Sequence, residues 1–156
     1  MERDDAFFMK KAMMQAKVAL KRDEVPVGAV IVRDGAVIAR GHNTRESAKN
    51  PCGHAEMSAI LACAKKLGGW RLSGCTLYVT LEPCPMCAGA IINARIPRVV
   101  FGAYDPKAGC LGSKADLMAL GFNHRAEVTG GVLAEECGRL LSDYFAEKRR
   151  RRREEK

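Results

Sequence analysis

Two short segments carry residue types that together build a metal centre with a proton carrier beside it: His54-Ala55-Glu56 and Pro83-Cys84-Pro85-Met86-Cys87. Cysteines three apart present both sulfurs on one face of a helical turn. A histidine from the other segment completes a Cys₂His donor set. Structural zinc sites are closed by four protein ligands, whereas catalytic sites keep three and leave a position for water. A carboxylate two residues after the histidine, Glu56, is placed to act on that water as a base.

Two other readings stay open on the residues alone. Cys52 precedes His54 by two positions and could close a Cys₃His structural site, leaving Glu56 as an ordinary helix residue. Cys84 and Cys87 could also form a redox dithiol, which leaves His54 and Glu56 without a role.

Both segments read as helix starts. Free backbone N–H groups and the positive end of the helix dipole gather there, and they lower the pKa of a thiol. Residues two apart on a regular helix point to nearly opposite sides. His54 and Glu56 can therefore share a site only in the first turn, where side chains project past the helix end. Two thiolates neutralise a divalent metal's formal charge, so its water is less acidic than in a three-histidine site and a positioned carboxylate matters more. Glu82, just before Pro83, reads as a local hydrogen-bonding residue rather than a second catalyst.

These segments need a frame. The 156 residues are 47% hydrophobic, which is enough for one compact domain with a core. A helix with Asp4 or Asp5 as cap carries Met9, Ala12, Ala16, Ala19 and Leu20 at helical spacing and ends near Asp23. Val25–Arg33 reads as a strand, Asp34-Gly35 as a hairpin turn, and Ala36–Arg40 as the returning strand. A loop over Gly41–Gly53 leads to a helix over His54–Leu67 that stops at Gly68-Gly69. Thr76–Leu81, Arg98–Gly102 and a weak Glu127–Thr129 are further strands, with a helix from Pro83 or Pro85 to about Arg95 between the first two. Leu133, Cys137, Leu140, Leu141 and Tyr144 stripe a final helix. This alternation predicts an α/β fold with a mixed sheet covered on both faces.

No apolar run spans a bilayer, and the charged start Met1-Glu2-Arg3-Asp4-Asp5 does not read as a signal peptide. The seven cysteines are scattered and odd in number, so the expectation is a reduced, cytoplasmic protein whose Cys63, Cys75, Cys110 and Cys137 are small core residues. Net charge is +8, and residues 148–156 hold seven of the 26 basic residues against two of the 18 acidic ones. Such an arm either binds phosphate backbones or is a solvated tail.

The motif H-x-E followed by P-C-x-x-C matches the zinc nucleobase deaminases. Beyond it, Val25–Val30, Thr80–Ala90, Arg98–Ala103, Asn123-His124-Arg125 and Asp143-Tyr144-Phe145 resemble the bacterial tRNA-specific adenosine deaminases of the cytidine/deoxycytidylate deaminase superfamily, over almost the whole chain. The resemblance implies a cytidine-deaminase-like three-layer fold with a five-stranded mixed sheet between helices. It implies a homodimer with one Zn²⁺ per subunit, acting on the anticodon stem-loop of tRNA and converting the wobble adenosine to inosine. Residues 1–148 would form the zinc-dependent deaminase domain and 149–156 a basic C-terminal tail. His54, Cys84 and Cys87 fall on the family's zinc ligands and Glu56 on its proton shuttle. Asn43 and the Ala55 backbone fall where the family contacts the flipped base. Asp105, Asn123, Phe145 and Arg149 fall where it holds anticodon-loop nucleotides.

Several of these have plain alternatives: Asn43 as a turn cap, Asp105 as a turn residue before Pro106, Phe145 as core, Arg149 as one solvated charge among five. The chain departs from the family at Cys52-Gly53, at Tyr144 and at Ala146-Glu147, all at the RNA rim rather than the chemistry. The zinc core alone does not separate a tRNA enzyme from a guanine or cytosine deaminase, and a nucleic-acid-binding module with structural zinc is a rival of another class. The basic tail and the 98–105 and 123–125 segments favour RNA, and Glu56 favours an enzyme.

Overall fold

The computed structural model describes residues 3–155, so the first two residues of the 1–148 span and the last of the 149–156 tail lie outside it. In chain order the elements are α1 (Asp5–Lys21), β1 (Gly28–Arg33), β2 (Ala36–His42), α2 (Ala55–Leu67), β3 (Cys75–Leu81), α3 (Pro85–Asn93), β4 (Arg98–Ala103), a short 3₁₀ turn (Leu117–Leu120), β5 (Glu127–Thr129) and α4 (Ala134–Glu154). The strands form one five-stranded sheet in the order β2-β1-β3-β4-β5. β1 runs antiparallel to both β2 and β3, whereas β3, β4 and β5 are parallel. The fold is the expected three-layer α/β arrangement with a mixed sheet.

Strand periodicity builds the layers. Ala29, Ile31, Leu77, Val79, Val99 and Phe101 point to one face and pack with residues of α2 and α3. Their neighbours Val30, Val32, Tyr78 and Val100 point to the other, toward Phe8, Met9 and Ala12 of α1 and Cys137 of α4. Both faces are apolar because both are covered. Small residues bring the layers close. Ala12 and Ala16 of α1 are wholly buried, and a Cβ on Gly28 would run into their backbone. A Cβ on Gly41 would likewise strike the backbone of Ala55 and Ala59, so this glycine sets how closely α2 approaches β2.

Polar anchors tie the layers together. Asp4 caps α1 by accepting from the Phe7 amide at 2.9 Å. The Asp5 carboxylate receives both arms of the Arg98 guanidinium, at 2.9 and 2.7 Å, and the Tyr78 hydroxyl at 2.8 Å, joining α1 to β3 and β4. Cys63, Cys75, Cys110 and Cys137 are free and buried, as expected of small core residues.

The hairpin turn falls where expected, with positive φ at both Asp34 and Gly35. Several boundaries differ from the sequence expectation by one to three residues, two of them at the hairpin. β1 begins at Gly28, not Val25, because Pro26 has no N–H to give a ladder and the Val27 amide turns back to the Val25 carbonyl at 2.8 Å. β2 runs two residues past Arg40, its Gly41 and His42 pairing with Ala29 and Gly28. At the far end, Arg149–Arg153 continue α4 as helix. No helix among the described residues is long and apolar enough to cross a membrane.

Candidate active site

α2 and α3 both present their N-termini at the end of the sheet where β3 gives out. His54 is the N-cap of α2 and Cys84 the N-cap of α3; both have extended backbone, and neither uses its side chain to cap its own helix. Each is free to face the other. The His54 Nδ1 lies 3.5 Å from the Cys84 Sγ and 3.6 Å from the Cys87 Sγ. Ligands at zinc distances of about 2.3 Å for sulfur and 2.05 Å for nitrogen, set at a tetrahedral angle, lie about 3.6 Å apart. The His54 nitrogen is thus already at the spacing from both sulfurs that a tetrahedral metal requires. Among the described residues they form a set of three, all within 4.8 Å of one another. Cys52 is exposed and outside the set, so a closed four-ligand site is not what the geometry supports.

The electrostatics agree with the distances. A hydrogen bond with Cys87, aided by the His54 ring and opposed by burial, holds the Cys84 thiol down to about 4. The bond with Cys84 raises His54, against burial. The bond with Cys84 and burial push the Cys87 thiol up. Anionic sulfur beside imidazole is a donor set suited to a soft or borderline divalent cation.

Glu56 sits one residue into α2, in the first turn, and is only 4% exposed. Burial pushes its carboxyl up to about 7, and the Cys84 charge adds to the rise. A carboxyl poised near neutrality can both take and give a proton.

A cavity of about 380 Å³ opens over these groups. Its walls include His54, Ala55, Glu56 and Cys84, and also Asn43, Asp105 and Phe145. Cys87 lies buried behind it. Phe145 is 41% exposed at its edge rather than part of the core. Asn43 is buried, accepts from the Arg45 amide at 3.1 Å and gives a long bond to the Val25 carbonyl at 3.4 Å. It does cap a turn, and it does so from the cavity wall. Asp105 is likewise a turn residue, accepting from the Lys107 and Ala108 amides. Asn123 and Arg149 are exposed and do not line the cavity.

The sequence reading missed several wall residues. Val25 and Val27 line the cavity because the chain turns there instead of entering the sheet. Glu24, 1% exposed, accepts from the Glu46 and Ser47 amides at 3.0 and 2.7 Å and so fixes the loop that carries Asn43. Burial raises the Glu24 carboxyl, but those amides outweigh it and leave the pKa lowered. No local motif marks a carboxylate that pairs with amides more than twenty residues away. Glu82 plays the same part opposite. It accepts from the amides of Asp105, Leu111 and Ser113 and from the Ser113 hydroxyl, and so holds the 105–113 loop. Lys148 also lines the cavity and could have been suspected from its place three residues after Phe145.

Comparison with known proteins agrees with this geometry. A profile of the MafB19-like deaminase family matches residues 3–149. The chain is 53% identical over 150 residues to the tRNA-specific adenosine deaminase of Bacillus subtilis (strain 168), covering 96% of this chain and 93% of that protein. A structure solved in work on A-to-I editing by tRNA:A34 deaminases at the wobble position of transfer RNA superposes with a TM-score of 0.79 at 42% identity, covering 86% of this chain and 98% of the other. A structure of a guanine deaminase from Nitrosomonas europaea superposes with a TM-score of 0.80 at 25% identity, covering 90% and 84%.

Proposed function

The chain belongs to the MafB19-like deaminases and, within them, to the tRNA-specific adenosine deaminases, and from that membership we propose that it deaminates the wobble adenosine of a tRNA anticodon hydrolytically to inosine. The observation that carries this reading is the placement of buried Glu56 beside the His54, Cys84 and Cys87 donors on a cavity that Asn43 and Phe145 also line.

His54, Cys84 and Cys87 would hold one zinc per subunit. That metal would supply Lewis-acid activation of the attacking water. Glu56 would take a proton from the water as its oxygen bonds to C6, deliver it to N1, then take the proton left on the C6 hydroxyl and pass it to the amine as the C6–N6 bond breaks and the C6 carbonyl forms. The atoms balance as adenosine plus water giving inosine plus ammonia. Asn43 and the Ala55 backbone, in the first turn where amides lack helical partners, would orient the base edge. Asp105, Asn123, Phe145 and Arg149 would hold the flanking nucleotides. A base in a duplex hides its reactive carbon, whereas a loop base enters a pocket at low cost.

The same reading makes residues 1–148 the deaminase domain, with the basic tail of 149–156 attached as a helical extension. It takes the protein as a homodimer acting in the cytoplasm, where tRNA is met. Sedimentation of the purified protein tests the dimer.

The likeness to a guanine deaminase fold favours a second reading, deamination of a free purine. Sequencing of an anticodon stem-loop transcript after incubation, alongside ammonia release from free guanine, separates the two. Inosine at the wobble position with no turnover of guanine supports the tRNA reading.

A further inference from the structure

The arginine run at the end of α4 is not uniform. Arg150 is paired on its own helix with Glu147 and Glu154, each at 2.5 Å. Arg151 reaches across to Asp23 at 3.1 Å, beside the Tyr144 hydroxyl, which donates to the Asp23 carbonyl at 3.2 Å. Among the described residues, Lys148, Arg149, Arg152 and Arg153 have no ion pair. At about 100° per residue, Phe145, Lys148, Arg149 and Arg152 share one face, because the last three lie three, four and seven residues after the first. Arg150 lies on another face, and Tyr144, Glu147 and Arg151 lie on the flank turned to Asp23. The unpaired face is continuous with the cavity, since both Phe145 and Lys148 line it.

We propose that Lys148 and Arg152 form a track for the phosphates of the paired stem that leads away from the bound loop, while Arg150 and Arg151 take no part in RNA binding and serve to hold α4. The argument is one of charge and continuity. Cations with no acidic partner are free to neutralise phosphates and release their counterions, and a stem leaving the cavity past Phe145 would run along this face. Arg151 fixes the helix through Asp23, and so fixes where the track points. The proposal rests on the tRNA reading above and adds to it a division of labour within one basic run.

The test compares neighbours that carry the same charge. Binding of an anticodon stem-loop transcript is measured against salt for the full chain and for Lys148→Gln, Arg152→Gln and Arg150→Gln. A seven-nucleotide loop RNA without the stem serves as a second probe. On the stem-loop, Lys148→Gln and Arg152→Gln should each weaken binding several-fold and flatten the log–log salt slope by up to about one unit. Arg150→Gln should leave the slope unchanged. Arg152→Gln should lose its effect on the stemless RNA. Equal losses from Arg150→Gln and Arg152→Gln would show a diffuse charge effect and overturn the proposal, as would an unchanged slope in all three. Inosine formation by the parent chain is scored in parallel: its absence defeats the tRNA reading, while its presence with equal slopes defeats only the track.

Discussion

The imidazole Nδ1 of His54 stands 3.5 Å from the Cys84 sulfur although thirty residues separate them in the chain. Each is the N-cap of a different helix, and neither spends its side chain on capping. Two helix N-termini aimed at one point thus gather the donors and lower the cost of a thiolate there.

The first prediction concerns that donor set. Metal analysis of purified protein should find one zinc per chain. Cys84→Ser should lose the metal, while Cys52→Ser, altering an exposed residue outside the set, should keep it. Loss of zinc from Cys52→Ser would restore the closed-site reading.

Glu56 carries the second. Glu56→Gln preserves the size of a buried side chain and removes its proton chemistry. Zinc content and thermal unfolding should stay close to the parent, while the single-turnover rate falls by roughly two to four powers of ten. A near-parental rate would remove Glu56 from the mechanism.

A third follows from Glu82. Its buried carboxylate receives three amides and a hydroxyl from the 105–113 loop. Glu82→Gln puts an amide donor where N–H groups converge, and the loss of charged hydrogen bonding should cost about 1.5–3 kcal/mol. Urea unfolding reads the cost. Faster hydrogen exchange confined to the amides of Asp105, Leu111 and Ser113 would place it in this loop; unchanged exchange there would contradict the role.

The fourth concerns pH. The Arg98 hydrogen bond, reinforced by Tyr78 and opposed by burial, holds the Asp5 carboxyl below its ordinary value. A carboxyl depressed on folding stabilises the native state fully above its unfolded pKa, and that contribution is lost as pH falls through the folded value. Asp5→Asn should therefore be less stable than the parent at pH 7. The gap should narrow as pH falls from about 4, where the unfolded chain's carboxyl takes up its proton, through the lowered folded value. Parallel stability curves down to pH 2 would show that the ion pair is not the source.

Much of this was legible in the residues. The apolar run ending at Arg33 and the Asp34-Gly35 turn marked the hairpin, and glycine stops bounded α2. The His-x-Glu and Cys-x-x-Cys spacings carried the donor set, because first-turn geometry is local. Val25–Val27 was not legible, since an apolar triplet with a proline suits a strand edge as well as the turn it makes. Glu24 was hidden for another reason, since it binds amides distant in sequence, which no spacing records; Glu82 was read as a hydrogen-bonding residue, but its partners lie 23 to 31 residues away rather than beside it. In the arginine run of α4, Glu147 and Glu154 at helical spacing single out Arg150, but only the fold brings Asp23 to Arg151.

The central claim is tested most directly by one measurement of inosine and ammonia under single-turnover conditions. The substrates are an adenosine in an anticodon loop, the same adenosine paired within a stem, and free guanine. The account predicts one inosine and one ammonia per loop adenosine, little from the stem, and none from guanine. Ammonia from guanine with no inosine in the loop would contradict it and assign the site to a free purine.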